Sequence, residues 1–241
     1  MRRGLVLFDL DGTLVHTAPD IADAVNRVLA LRQLPEVPEA WVRSRIGHGS
    51  RQLLAQAHAT ATRLLAGEEQ PAPLPALIEE FARHYADCVG RRGRIYPGAM
   101  TALAQLRRSG VKLALLTNKE ERFARRVLEQ HGLAGRFDLE LFGDSLAAKK
   151  PDPLPVRHAL ERFKVAPARA LLVGDSAIDV RTGHNAGIPV WAVSYGYGSK
   201  AEIAEAAPER VIDSLAQVRA SIYSPRASSS SLYFRSRPRN W

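Results

Sequence analysis

Four acids, a hydroxyl and a lysine in this chain stand where phosphoryl transfer would need them. Asp9-Leu10-Asp11-Gly12-Thr13 directly follows an apolar run at residues 5–8, and Thr117-Asn118 closes a run at 112–117. Lys149-Lys150-Pro151 follows a weaker run at 139–142, and Asp175 follows a run at 170–174, with Asp179 one helical turn on. A phosphate monoester is a dianion. It repels a carboxylate nucleophile by roughly 9 kcal/mol at about 3.5 Å and an effective dielectric of about 20. A divalent cation held by carboxylates offsets most of that, and a lysine ammonium adds more.

Roles follow from that charge problem. Asp9 is expected to attack phosphorus and carry the phosphoryl group. Asp9 and Asp175 are the expected Mg²⁺ carboxylates, with Asp11 adding a backbone carbonyl and Asp179 orienting the set from behind. Thr117, Asn118 and Lys150 are the expected phosphate-binding residues, placed where charge builds in the transition state. Gly12 and Thr13 offer backbone N–H groups to the same phosphoryl. A carboxyl crowded by acids and a phosphate holds its proton more strongly. That would let Asp11 protonate the leaving alkoxide and then deprotonate the attacking water.

Such groups meet only if a scaffold collects them. The short apolar runs, with a further one at 189–193, lack polar alternation and are separated by helical patterns. This predicts an α/β doubly wound parallel sheet, buried on both faces, whose strand ends gather the reactive groups at one edge. Helical stripes recur at Met100, Leu103 and Leu106, at Phe123, Val127 and Leu128, and at Leu160 and Phe163.

Between the first two long runs no strand is expected. Residues 16–95 read instead as an inserted helical cap, with hinges near Val15-His16 and Arg92-Tyr96, and with the core made of 1–15 and 96–220. Thr17-Ala18-Pro19-Asp20 reads as a capping box opening the first cap helix. Helical faces follow at 21–29, 41–46, 53–65 and 77–89, and the proline-rich 70–75 reads as a loop. The cap must choose the substrate, because the core sees only phosphate. Arg43, Arg45, His48 and Arg51 cluster around Gly47 and Gly49. One of them gripping a substrate anion and all of them being solvated are both open readings. Lys119 reads as a surface residue at a helix start, with a place near the cap as the open alternative.

Composition sets outer bounds. Of 241 residues 46% are hydrophobic, and the formal charge is +9. Four arginines without an acid lie in 221–241, leaving +5 for the first 220 residues. That Ser/Arg-rich tail reads as disordered and solvated. A mild positive excess suits a small anionic ester, and no zinc or RNA-binding pattern points to nucleic acid. Cys88, the single cysteine, excludes an internal disulfide and reads as a small buried hydrophobe. The apolar run at 5–8 is too short for a signal core or a membrane span, so a cytoplasmic monomer or homodimer is expected.

The motifs in order, Phe-Asp-Leu-Asp-Gly-Thr-Leu, strand-end Thr-Asn, Lys-Lys-Pro-Asp-Pro and Val-Gly-Asp-Ser-x-x-Asp, resemble the haloacid dehalogenase superfamily of phosphatases over residues 4 to about 218. The insert resembles that superfamily's helical cap of the first class. Thr117-Asn118-Lys119, Phe142-Gly143-Asp144-Ser145, the segment at 208–215 and Ile46-Gly47-His48-Gly49 resemble the phosphoglycolate phosphatases. Two departures are His48, where that family usually has Asn, and Ile178, where an Asn commonly precedes the last Asp. The resemblance implies Mg²⁺-dependent hydrolysis of 2-phosphoglycolate, with Arg45, Gly47 and His48 selecting substrate. The alternatives are the same build acting on a sugar phosphate such as N-acetylmuramic acid 6-phosphate or on pyrophosphate, and, further off, a non-enzymatic phosphoryl-accepting receiver.

Overall fold

The computed structural model describes residues 3–66 and 73–223. Its centre is a six-stranded, all-parallel sheet. The strands are β1 (Leu5–Phe8), β4 (Lys112–Leu116), β5 (Leu139–Leu141), β6 (Ala170–Gly174), β7 (Val190–Val193) and β8 (Arg210–Ile212), in the order β5-β4-β1-β6-β7-β8. The parallel α/β sheet expected from the uninterrupted apolar runs is present. β8 is an addition, since its Arg-Val-Ile is too short and too exposed to read as a buried run.

Alternate residues of β1 feed two separate cores. Leu5 and Leu7 pack with Val156 and Val180, from α7 (Leu154–Phe163) and α8 (Ala177–Ala186). Val6 and Phe8 pack on the other face with Leu103 and Leu106 of α5 (Ala99–Arg108) and with Phe123 and Val127 of α6 (Glu121–Gln130). Burial on both faces is what a strand without polar alternation requires. β1 sits between β4 and β6, where the chain turns from building one half of the sheet to the other. The crevice at the carboxyl ends therefore opens beside Asp9.

Among the described residues of 16–95 lie four helices: α1 (Ala18–Ala30), α2 (Glu39–Arg43), α3 (Ser50–Ala66) and α4 (Leu74–Cys88). Their apolar faces join the same core as Val6 and Phe8, through Phe81 and Tyr85 against Phe123 at 5.4 and 5.6 Å between ring centroids. Cys88 is buried and free. Three expectations change here. Residues 16–95 do contain strand: β2 (Val15–His16) pairs antiparallel with β3 (Arg94–Ile95), a ribbon too short to show in hydrophobic periodicity. Leu74 and Pro75 belong to α4, with Pro75 in the first turn where its missing N–H costs nothing; residues 67–72 lie outside the described part.

The capping box at Thr17 does not form. Thr17 has helical dihedrals and makes no side-chain cap. Its hydroxyl donates to Asp11 Oδ1 at 2.6 Å. Asp20, buried, accepts the N–H groups of Gly90, Arg92 and Gly93 at 2.8, 2.8 and 3.1 Å. Thr17 turns back onto the Asp11 loop, while Asp20 ties the first connecting segment to the second, a long-range use that local spacing cannot reveal. The final 3-10 segment, Leu215–Tyr223, runs three residues past the expected end of the core, and the tail reading for 224–241 falls outside the described residues. Among the described residues no helix is long and apolar enough to cross a membrane.

Candidate active site

Asp9 leaves β1 at the centre of the sheet and is 6% exposed. Its Oδ1 accepts from Lys150 Nζ at 2.6 Å, and the same ammonium donates to Asp179 Oδ1 at 2.7 Å. Asp179 stands in the first turn of α8, where its Oδ2 accepts from Ser176 Oγ at 2.7 Å and from the Ser176 and Asp175 N–H groups at 3.1 and 3.3 Å. One carboxylate thus caps a helix, anchors a lysine and braces the strand end that carries Asp175. Asp175 Oδ2 accepts the Tyr197 N–H at 2.6 Å.

This packing needs bare backbone around it. A Cβ on Gly12, whose φ is +87°, would stand 2.2 Å from Asp175 Oδ2, and one on Gly196 would stand 2.2 Å from Asp175 Cβ. Burial pushes the Asp9 carboxyl up to about 7, against the pull of Lys150, and Asp179 and Asp11 add to the rise. Asp175 is also raised well above the usual carboxylate range, by burial and then by Asp9 and Asp179. Burial works against the Lys150 ammonium, but Asp179 and Asp9 hold its pKa above the ordinary value.

Three carboxylates against one ammonium leave this pocket short of positive charge. Asp9, Asp175 and Asp179 each present an oxygen within 4.8 Å of the others. An all-oxygen, net-negative donor set fits a hard divalent cation. Asp11 does not join that cluster with its side chain. The turn at Gly12 re-aims it, so that Lys119 Nζ donates to both of its oxygens at 3.1 Å and Thr17 adds the hydroxyl bond. The hydrogen-bond partners of Asp11 are therefore a lysine and a threonine, while its charge still adds to the rise at Asp9.

The phosphate-binding set is also redrawn. Thr117 is buried beside the centre, and its Oγ1 accepts the Lys119 N–H at 3.2 Å, which leaves the hydroxyl hydrogen free to donate. Asn118 spends both Nδ2 hydrogens on carbonyls, Gly47 O and Lys150 O, each at 2.9 Å. It is a brace between the helical segment and the lysine loop, and its side chain is not available to phosphate. The N–H groups of Gly12 and Thr13 bond Val15 O and Leu10 O inside the turn, so they too are committed.

A cavity of about 460 Å³ opens over these residues. Asp9, Asp11, Thr117, Lys119 and Lys150 form its floor, and Arg45, Gly47 and His48 its roof. Ile21, Leu53, Phe81 and Phe123 add an apolar wall. Gly47 and Gly49, at φ of +118° and +98°, make the roof turn, which is bonded to the sheet side through Asn118, through Lys149 Nζ to His48 O at 3.3 Å and through Ser50 Oγ to Glu120 at 2.6 Å.

Of the expected selectors, His48 is exposed at the rim. Arg45 lies with its guanidinium 4.0 Å from the Trp41 ring centroid and donates to Trp41 O and Ser44 Oγ. Arg43 reaches across to Tyr195 O and Gly196 O at 3.3 and 2.6 Å. Arg51 does not line the cavity.

Two residues were missed from sequence. Lys119 is no surface residue, since its side chain is only 9% exposed. Its place directly after Thr117-Asn118, past a strand end, was the available signal. Tyr197 joins Asp175 to the ribbon side: its hydroxyl accepts the Ala18 N–H and lies 3.0 Å from His16 Nδ1. Nothing in its local sequence announces that.

Comparison with known proteins agrees with this geometry. Residues 4–187 match the family model described as haloacid dehalogenase-like hydrolase. The chain is 43% identical over 210 residues to a plasmid-encoded phosphoglycolate phosphatase of Cupriavidus necator, covering 87% of this chain and 89% of that one. It is 40% identical over 215 residues to a phosphoglycolate phosphatase of Mesorhizobium japonicum, at 88% and 91% coverage. The crystal structure of a predicted phosphoglycolate phosphatase from Haemophilus somnus superposes with a TM-score of 0.85 at 32% identity, covering 90% and 97%. With its central Asp9, its lysine-bridged acids and a family match over most of its length, the chain belongs to the haloacid dehalogenase-like hydrolases.

Proposed function

We propose that this protein hydrolyses 2-phosphoglycolate to glycolate and phosphate through an aspartyl-phosphate on Asp9, with Mg²⁺ as the metal. The observation that carries the chemistry is the bond from Lys150 to Asp9 and Asp179, with Asp175 alongside and Asp11 held apart from them. Naming the substrate rests on the relatives at 43% and 40% identity.

In the first half, an Asp9 oxygen attacks phosphorus and the bond from phosphorus to the ester oxygen breaks. Asp11 gives its proton to the departing glycolate oxygen. In the second, Asp11 takes a proton from the water that attacks phosphorus, and Asp9 is released as a carboxylate. Lys119 and Thr17 hold the Asp11 carboxyl in place for both proton transfers. Thr117 donates its free hydroxyl hydrogen to a phosphoryl oxygen and Lys150 neutralises charge beside it. Asp9 and Asp175, with the Asp11 carbonyl, would hold the Mg²⁺, which would supply positive charge against the transferring group. Asp179 fixes the direction of Lys150 and of the Asp175 strand end. Residues 16–95 act as the cap, closing the cavity to water.

A substrate panel with Mg²⁺ tests the reading: 2-phosphoglycolate, a sugar phosphate, pyrophosphate and p-nitrophenyl phosphate. Phosphoglycolate should lead in kcat/KM, and equal rates on generic esters would sink it. Chelation should abolish turnover, and Mg²⁺ should restore it. Asp11→Asn should slow alkyl esters far more than p-nitrophenyl phosphate, whose leaving group needs no proton. Equal losses would remove Asp11 from the acid role.

A further inference from the structure

Lys119 brings a second buried ammonium to the cavity floor, and its surroundings limit what it can bind. Its side chain is 9% exposed, its Nζ stands 3.1 Å from each oxygen of Asp11, and the Tyr85 ring centroid lies 5.0 Å away. An ammonium has three N–H donors. Asp11 engages two at most, the buried Tyr85 hydroxyl stands beside the ammonium, and Lys119 lines the cavity. The wall beside it is Ile21, Leu53, Phe81 and Phe123, none of which can solvate an anion.

Substrate geometry selects the same place. An ester oxygen that exchanges a proton with Asp11 lies about 3 Å from its carboxylate. In phosphoglycolate the carboxylate carbon is two bonds further, about 2.5 Å from that oxygen. The carboxylate therefore falls within about 6 Å of Asp11, on the side away from phosphorus. Left unpaired there, it would be an uncompensated anion against an apolar wall. The other cations are less suited. Lys150 is engaged by Asp9 and Asp179, Arg45 by Trp41 and Ser44, and Arg181 and His48 are exposed at the mouth.

We propose that Lys119 determines specificity: its ammonium receives the substrate carboxylate while bracing Asp11. This rests on the phosphoglycolate reading and sharpens it. The test compares kcat/KM for 2-phosphoglycolate, its carboxamide analogue and ethyl phosphate in wild type, Lys119→Met, Lys119→Gln and Lys119→Arg. All three substrates are alkyl esters that need a proton from Asp11, so any weakening of Asp11 cancels in their ratios.

Wild type should prefer the acid over the amide. The Met and Gln variants should lose about 10- to 100-fold of that preference, the range of a charge-assisted hydrogen bond, and Arg should retain part of it. Inhibition by glycolate should weaken in parallel. A preference unchanged in Met and Gln, with all three esters slowed alike, would overturn the proposal, because Lys119 would then act on Asp11 alone. So would loss of the preference in Arg45→Met with Lys119→Gln unaffected. A wild type indifferent to the carboxylate defeats the substrate reading and this inference together. Far-UV circular dichroism identifies any variant that fails to fold, and the Gln and Arg variants then decide.

Discussion

The two ends of the cavity are built on different principles. At the sheet end, Asp9, Lys150, Asp175 and Asp179 are 1–6% exposed, and each is met by a charged or hydrogen-bonding partner fixed to a strand end or helix start. At the roof, the turn around Gly47 is joined to the sheet side by single contacts to backbone oxygens and by the Ser50–Glu120 bond. A network of buried charges loses much when one member goes, because the others remain buried and unpaired. A partly solvated contact loses little, since water replaces it. The sheet end is thus set before substrate arrives. The roof turn has the contacts more readily exchanged for water, which is where opening for substrate would begin.

Substitutions can break or sharpen that contrast. Asp9→Asn should have the largest effect, removing the nucleophile and lowering kcat by at least about 10⁴-fold on every ester, in steady-state assays. Gly196→Ala touches no substrate, but its Cβ would displace Asp175. Metal affinity measured by calorimetry should fall by about 10- to 100-fold, as when outer support of a metal ligand is removed. Unchanged affinity would mean that Asp175 is not held rigidly and would weaken the contrast.

Asn118→Ala joins both ends, because one amide bonds Gly47 O and Lys150 O. It should raise KM and lower kcat, each by about tenfold or less, the scale of losing neutral hydrogen bonds. A loss in KM alone would assign Asn118 to the roof. Arg43→Ala should have the smallest effect: an exposed side chain on two carbonyls is worth a few-fold in KM, with kcat unchanged. A large kcat loss there would show that the roof is part of the catalytic centre after all.

Much of the sheet end was legible in advance. Asp9, Asp175 and Asp179 follow apolar runs that can only be buried strands, and their charge demands Lys150. The cap side was legible as helices but not as contacts. Thr17 and Asp20 match a local capping pattern, yet the fold uses them across 6 and about 70 residues of sequence. Asn118 looked like a phosphate ligand because it follows Thr117, although its amide points to two carbonyls. A four-residue spacing describes one helical turn and says nothing of what packs against it.

Sequence by itself determined the order and kind of the polar groups at the strand ends, the parallel sheet that collects them, and a surplus of carboxylates that a divalent cation could balance. Those follow from burial and from unlike charges having to balance wherever they meet. Tertiary structure alone decided that Asp11 faces Lys119 and Thr17 and not its neighbouring acids, that Tyr197 reaches from Asp175 to the β2 side, and that Arg45 turns to Trp41. The direction of a side chain after a turn is set by which distant partner lowers its energy most, and that partner is chosen only when the chain has folded.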